Sequence, residues 1–243
     1  MTIDAALVAD LADEYAALDM LLRRVSPGVW RLPTPALGWT VADQVRHLVT
    51  SERAAAMSLA GRGAELFARQ RTIEPAHAAD GVDLLDEWRV ARTATLHAFH
   101  ALDDRAKIVW GAGPMSVWSF AQSRLMETWA HGLDCFAAAG EEPVDTARLH
   151  HISGLGLRAL PYAFSVADEE PPGDLRGLSL DLTSPAGERW WFGSAYGEAH
   201  IVGRAGEWCR VAVRRLQPDA TSLVATGSLA SAALRVARAY LAD

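Results

Sequence analysis

Long segments with apolar residues at helical spacing are the feature that most limits what this chain can fold into. In the first segment Leu7, Leu11 and Tyr15 recur every four residues, which is the spacing of an amphipathic helix. The same kind of pattern covers residues 39–61, 82–102 and 116–140, and a shorter one covers residues 146–162. Four long amphipathic segments joined by loops of mixed length predict a helix bundle within residues 1–165.

The ends of two of these helices can be read from single residues. Thr40 followed by Asp43 three positions later is close to a capping box, so Thr40 is predicted to cap the second helix. Ser116 follows the turn sequence WGAGPM and is predicted to cap the fourth long helix, which should end at Gly140.

The last third of the chain has a different pattern. Residues 168–174, DEEPPGD, are acidic and proline-rich, which is typical of a linker. Beyond them, alternating strand patterns and short helical patterns are mixed: strands at 175–184, 188–194, 198–205 and 222–227, and helices at 206–216 and 229–243. The sequence therefore predicts an α+β protein, with a small α+β domain over residues 175–243 after the bundle.

Composition narrows the class of protein. Half of the 243 residues are apolar and the net charge is −7, which suits a globular protein and argues against a general nucleic-acid binder. No window approaches the roughly 20 apolar residues of a membrane span. The acidic N-terminus is unlike a secretory signal, and two cysteines are too few for a disulfide framework, so a cytoplasmic location is expected. Arginine makes up 22 of the 23 basic residues, which indicates a GC-rich genome.

A carboxylate and an imidazole share one face of the fourth long helix. Glu127 and His131 are four residues apart, and inward-facing polar groups of this kind are costly in a bundle unless something neutralises them. A divalent metal ion is one answer. His47, flanked by Val45 and Leu48 in the second helix, is the best candidate for a third ligand. Two nitrogens and one oxygen match a catalytic zinc site, which keeps one position open.

Other interpretations of these residues remain open at the level of spacing. Glu127 could bind a nearby arginine, and the two histidines could be ordinary, partly buried side chains, because a Glu and a His four apart occur often by chance. Cys135 is either a fourth ligand, a redox group or a small core residue, and the core reading is favoured. Cys209 is predicted to be a core residue, and His97 with His100 form a less favoured second metal pair.

Two motifs resemble a known family. Trp39-Thr40-Val41-Ala42-Asp43 leading to His47-Leu48, followed about eighty residues later by Glu127-Thr-Trp129-Ala-His131, resembles the DinB-like metal-binding bundle family. The closer similarity is to the branch named for mycothiol-dependent maleylpyruvate isomerase. The C-terminal sequence EWCRVAVRRLQPDATSLVATG also resembles the small sterol-carrier-like domain that follows the bundle in that branch.

The resemblance implies a zinc ion bound by His47, Glu127 and His131, with the thiol of mycothiol completing its shell. Mycothiol is made by high-GC actinobacteria, which agrees with the codon bias. Trp39 and Trp129 belong to the two motifs and are expected to line the pocket for this cofactor. In the isomerase reaction, thiolate addition to a cis double bond permits rotation before the thiol leaves, and other members are expected to use the thiolate for transfer or conjugation.

The resemblance also implies an arginine in the C-terminal domain that binds an anionic substrate. Arg214 or Arg215 matches that place, with Arg214 favoured, although Val213 stands where the family often has a small residue. The expected function is that of a mycothiol-dependent isomerase or S-transferase acting on a small electrophilic acid. The alternative is a non-catalytic metal-containing module that binds a ligand or a partner. The sequence leaves the oligomeric state open.

Overall fold

The computed structural model describes residues 5–68, 76, 80–103, 105–110 and 113–239. The chain divides into two compact units, residues 1–143 and residues 144–243. The sequence placed the boundary later, in residues 168–174. The division lies earlier because the segment 149–166 packs against the helices and the sheet of the second unit. Among the described residues no helix is both long and apolar enough to cross a membrane.

The first unit is a helix bundle. Its helices are α1 (Ala5–Leu22), α2 (Val41–Met57), α3 (Gly63–Ala68), α4 (Gly81–His100) and α5 (Val117–Ala139). Helix α2 packs on α4 and α5, and α1 packs on the same two helices, so the four long helices enclose one core. The apolar stripe that predicted α1 lies in that core, with Leu7 and Leu11 fully buried. The predicted four-helix bundle is therefore confirmed.

Local signals fix where the two site-bearing helices begin and end. The Thr40 hydroxyl accepts a hydrogen bond from the Asp43 N–H, and the Asp43 carboxylate accepts one from the Thr40 N–H at 2.9 Å, which completes the capping box. The Ser116 hydroxyl caps α5, and Gly140 ends it with a φ of 70°. The turn predicted before α5 belongs to a pair of strands. β1 (Lys107–Trp110) and β2 (Gly113–Ser116) pair antiparallel, and residues 111 and 112 between them lie outside the described part.

The second unit is a small sheet with helices. Its elements are α6 (Leu149–Arg158), α7 (Leu160–Val166), β3 (Leu178–Thr183), β4 (Arg189–Gly193), β5 (Ala199–Arg204), α8 (Ala205–Ala212), β6 (Val224–Thr226) and α9 (Ser228–Val236). The strand order is β4-β3-β5-β6, with β3 and β5 parallel and the outer pairs antiparallel. The single helix predicted over residues 146–162 is divided at Ala159, since Pro161 has no N–H to continue its hydrogen bonds. The last helix ends at Val236, before the predicted end.

In the first unit, the buried carboxylate of Asp19 links α1 to α4 through hydrogen bonds. Asp19 accepts two hydrogen bonds from Arg89, at 2.7 and 2.8 Å, and one from Arg92 at 2.6 Å. Arg92 also donates to the carbonyl oxygen of Tyr15 at 2.7 Å. Hydrogen bonds from Arg89 lower the pKa of the Asp19 carboxyl, against the opposing effect of burial. The ionised form of Asp19 therefore stabilises the bundle.

We expect Asp19→Asn to lower the free energy of unfolding by about 1.5–3 kcal/mol at neutral pH, because charge-assisted hydrogen bonds are lost. The pKa of Asp19 is lower in the folded state, so its contribution is present above the unfolded pKa and is lost as pH falls through the folded pKa. Urea unfolding between pH 3 and 7 should therefore show a weaker acid dependence in the variant. Asp13→Asn, at an exposed position on α1, is the control and should change stability by about 0.5 kcal/mol or less.

Candidate metal centre

Three potential metal ligands converge in the bundle. Each of these residues, His47, Glu127 and His131, offers one potential ligand atom, and the three atoms lie within 4.8 Å of one another. The Oε2 atom of Glu127 is 3.3 Å from Nε2 of His47 and 3.4 Å from Nε2 of His131. Among the described residues, this is the one group of three or more His, Cys, Asp or Glu side chains with such an arrangement. The structure thus brings together the three residues that the sequence selected.

The packing of α2 against α5 produces this arrangement. His47 lies in the middle of α2, and Glu127 and His131 lie one turn apart on α5. Glu127 and His131 are buried, with 9% and 2% of their surfaces exposed, whereas 30% of the His47 side chain is exposed. The cluster is therefore closed on the α5 side and reachable from the His47 side.

The charges within the cluster are unequal. Burial alone would raise the pKa of Glu127, but its polar contacts with His131 and His47 and the charge of Arg124 outweigh that effect, so the pKa lies well below its usual range. Burial lowers the pKa of His131 despite the nearby carboxylate of Glu127. Near neutral pH the site therefore contains an ionised carboxylate beside a neutral His131, and both are the forms that bind a metal ion.

Trp39 forms a wall of the site. Its ring stacks on the His131 ring, with centroids 5.9 Å apart and an angle of 16° between the planes, and lies 5.4 Å from the His47 ring. Trp129 is buried on α5, two residues from both Glu127 and His131. Residues two apart do not share a helix face, so Trp129 points to another side of α5. Its expected role in lining the cofactor pocket is therefore supported by the sequence motif alone.

Sequence reasoning missed a buried glutamine beside His131. Gln44 is fully buried on α2, and its Oε1 atom is hydrogen-bonded to Nδ1 of His131. Its Nε2 donates to Asp134 at 3.0 Å and to Thr34 at 2.9 Å. The available signal was its position three residues before His47, which places a polar side chain near the face of α2 that carries the proposed ligand.

Sequence reasoning also missed an ion pair behind Glu127. Arg124 is 1% exposed, and its guanidinium lies 3.9 Å from carboxylate oxygens of both Glu127 and Glu52. It also donates to the Ser51 hydroxyl and lies 4.8 Å from the centre of the Trp110 ring. Burial raises the pKa of the Glu52 carboxyl, and the charge of Arg124 opposes that rise. One cation therefore balances two buried acidic groups.

Comparison with known proteins assigns the bundle. The family model described as the mycothiol maleylpyruvate isomerase N-terminal domain matches residues 11–136, slightly more than half of the chain. The chain belongs to this isomerase family. The matched segment contains all three converging residues of the cluster.

Relatives and solved structures extend the similarity to the whole chain. Two uncharacterized proteins of Mycobacterium tuberculosis, from strains CDC 1551 and H37Rv, are each 35% identical over 246 residues, which cover 96% of this chain and 94% of the relative. Crystal structures of a mycothiol-dependent maleylpyruvate isomerase and of its histidine-to-alanine mutant share the fold, each with a TM-score of 0.58. They are 13% and 14% identical to this chain, and the match covers 90% of this chain and 91% of theirs. These structures support the α+β fold.

The cysteines and the second histidine pair are not part of the converging group of ligand atoms found among the described residues. Cys135 is fully buried on α5, and burial followed by the charge of Asp134 raises the pKa of its thiol. Cys209 is fully buried in the second unit, and burial raises its pKa to about 12. Both are placed as core residues. His97 is exposed on the last turn of α4. His77, in a loop by sequence, lies outside the described residues.

Arg214 belongs to the second unit and not to the helix bundle that carries the cluster. It is exposed, and it follows the C-terminal end of α8 with a φ of 61°. This left-handed conformation is uncommon for a residue other than glycine. Arg215, the alternative, is partly buried and donates to the carbonyl oxygen of Val213 at 3.3 Å.

We expect Arg124→Met to lower the free energy of unfolding by about 3–5 kcal/mol, because it leaves the fully buried Glu52 without its cation. Adding Glu52→Gln to that variant should restore part of the loss, since the uncompensated acid is then gone. Chemical denaturation of the metal-free proteins measures both effects. Arg53→Met, which breaks a partly exposed pair with Glu87, should cost about 1 kcal/mol or less. Equal losses for Arg124→Met and Arg53→Met would contradict this account.

Proposed function

We propose that this protein is a zinc-dependent enzyme that uses mycothiol in an isomerase or S-transferase reaction on a small electrophilic acid. Membership of the isomerase family supports the thiol and the reaction class. The observation that carries the proposal is the convergence of two imidazoles and one carboxylate on a point that remains reachable from the His47 side. A metal site with only a structural role is more often closed by four ligands.

The donor set fits zinc. Nε2 of His47, Nε2 of His131 and an Oε atom of Glu127 would be the ligands, and two nitrogens with one oxygen are a common catalytic zinc set. Zinc bound there would lower the pKa of a thiol so that it is a thiolate near neutral pH. The depressed pKa values of Glu127 and His131 keep both residues deprotonated, so metal binding does not have to displace a proton from either.

The residues around the cluster would orient the cofactor and limit access of water. Trp39 covers the His131 ring, so a bound thiol would meet the site beside an aromatic face. The buried α5 side of the cluster leaves the His47 side as the route for the thiol and the acid. The neutral imidazole of His131 and the ionised carboxylate of Glu127 together carry one negative charge, which partly offsets that of a divalent ion.

Arg214 is the proposed group for the carboxylate of the substrate. Its guanidinium carries a permanent positive charge, and its side chain is exposed. A backbone with φ of 61° costs more for arginine than for glycine, and strained residues of this kind cluster at functional sites. We therefore propose that arginine is retained at this position for its side chain and not for its conformation.

Metal and thiol binding test the proposed function. Protein loaded with zinc and then desalted should contain about one ion per chain, and His131→Ala should lose it because a ligand is gone. The exposed histidine variant His97→Ala is the matched control and should keep the ion. Mycothiol added to the cobalt-substituted protein should change the absorption spectrum and release about one proton, as expected for a thiol that becomes a thiolate ligand.

The outcomes of this experiment distinguish the two hypotheses that the sequence left open, a mycothiol-dependent enzyme and a non-catalytic metal-containing module. Full metal occupancy in His131→Ala would refute the assignment of His131 as a ligand. A normal metal content with no response to mycothiol would leave a metal-containing module without thiol chemistry. A response to mycothiol followed by thiol-dependent turnover in a panel of small electrophilic acids, with maleylpyruvate as the first, would support the enzyme.

Arg214→Gly separates the side chain from the backbone. The change should raise the free energy of unfolding by up to about 1 kcal/mol, because glycine adopts the left-handed conformation without strain. The same change should raise KM for the acid about tenfold or more through loss of a charge-assisted contact. Asp168→Gly is the matched control: Asp168 also follows a helix with positive φ, so it should gain stability with KM unchanged. An unchanged KM in Arg214→Gly would remove Arg214 from the proposal.

A further inference from the structure

A chain of hydrogen bonds fixes the orientation of the Gln44 amide. The Thr34 hydroxyl donates to the carbonyl oxygen of Trp39 at 2.9 Å, so its oxygen is left to accept from Gln44 Nε2. The second hydrogen on Nε2 goes to a carboxylate oxygen of Asp134 at 3.0 Å. Both neighbours therefore require a donor, and a side-chain amide has only one donor atom. Oε1 is consequently the atom that faces His131.

This orientation determines which nitrogen of His131 carries the proton. Because Oε1 of Gln44 can only accept, Nδ1 of His131 must donate. A neutral imidazole has one N–H and one acceptor nitrogen, so donation from Nδ1 makes Nε2 the acceptor. With that proton on Nδ1, the lone pair of Nε2 can bind a cation near the ligand atoms of His47 and Glu127.

The opposite tautomer has a competing partner in the same site. Oε2 of Glu127 lies 3.4 Å from Nε2 of His131 and would accept a proton carried there. Without Gln44, the attraction between an Nε2–H and the carboxylate of Glu127 would favour that tautomer. An Nε2–H cannot bind a metal ion, so the competition decides whether His131 is ready to be a ligand.

We propose that Gln44 is a positioning residue that holds His131 as the Nδ1–H tautomer, with Asp134 and Thr34 fixing its amide, so that the unprotonated Nε2 can bind a cation. The proposal rests on the proposed function in taking His131 Nε2 as a metal ligand. Through Thr34 the same chain reaches the backbone carbonyl of Trp39, the residue whose ring stacks on His131. Substituting a residue that hydrogen-bonds to a metal ligand typically changes metal affinity by about 10–100-fold.

The tautomer can be measured in metal-free protein. Nitrogen-15 shifts of the His131 imidazole should show a protonated Nδ1 and an unprotonated Nε2 in the unaltered chain. Gln44→Met keeps the length of the side chain but removes the acceptor, so the proton should move to Nε2. Zinc affinity, measured by competition with a chromophoric chelator, should fall by about 10–100-fold in this variant.

The matched control is a second buried glutamine. Gln122 is 2% exposed on α5, more than two helical turns before His131. Gln122→Met removes a buried amide of the same kind and should leave the tautomer and the zinc affinity unchanged. A fall in affinity caused only by a loosened bundle would affect both variants alike.

Two results would overturn the inference, and a third would separate its failure from the failure of the proposed function. An Nδ1–H tautomer retained in Gln44→Met, with unchanged zinc affinity, would overturn it. If Gln44→Met does not fold, Thr34→Val removes one anchor of the amide and should shift the tautomer in the same direction by a smaller amount; an unshifted tautomer there would also overturn it. If the unaltered protein bound no zinc, the proposed function would fail while the tautomer measurement in metal-free protein still tested Gln44.

Discussion

The buried carboxylate of Glu127 is the constraint on which the rest of the first unit depends. A charge with 9% exposure is costly unless its neighbours compensate it. Here the imidazoles of His47 and His131 approach one oxygen at 3.3 and 3.4 Å, and the guanidinium of Arg124 lies 3.9 Å from the other. The packing of α2 on α5 therefore has to satisfy electrostatics as well as shape, and it creates a point where three metal-binding atoms meet.

Two groups of polar residues surround this point, one beside His131 and one behind Glu127. Gln44, Asp134 and Thr34 connect His131 to the segment that carries Trp39, and they control the orientation of a ring. Arg124 and Glu52 lie behind Glu127 and control its charge. The first group acts through directed hydrogen bonds and the second mainly through Coulomb interaction. A substitution in either group would be felt at the site without touching a ligand atom.

The two units contribute different kinds of information about function. The family match covers residues 11–136, and with them the whole cluster of the first unit. The second unit contributes Arg214, an exposed cation with a left-handed backbone after the end of α8. The metal and thiol chemistry is thus proposed from the first unit, and the binding of the acid is proposed from the second.

Local patterns in the sequence were sufficient for the helices and for the choice of ligands. The apolar spacing of α1, the Thr40 cap and the glycine after α5 act within a few residues, so they could be read without coordinates. The His and Glu-His motifs identified His47, Glu127 and His131 because residue type and spacing carry that signal. The division of the chain was predicted too late, since only packing shows that residues 149–166 belong with the sheet.

The sequence by itself determined the periodicity of the helices and which side chains could bind a metal ion, because both depend on neighbours along one helix. The tertiary structure alone decided that these side chains meet, that Gln44 faces His131 and that Arg124 lies between Glu52 and Glu127. Those contacts join residues more than seventy positions apart or depend on which face of a helix is buried. They arise from the packing of one helix on another, which no local pattern specifies.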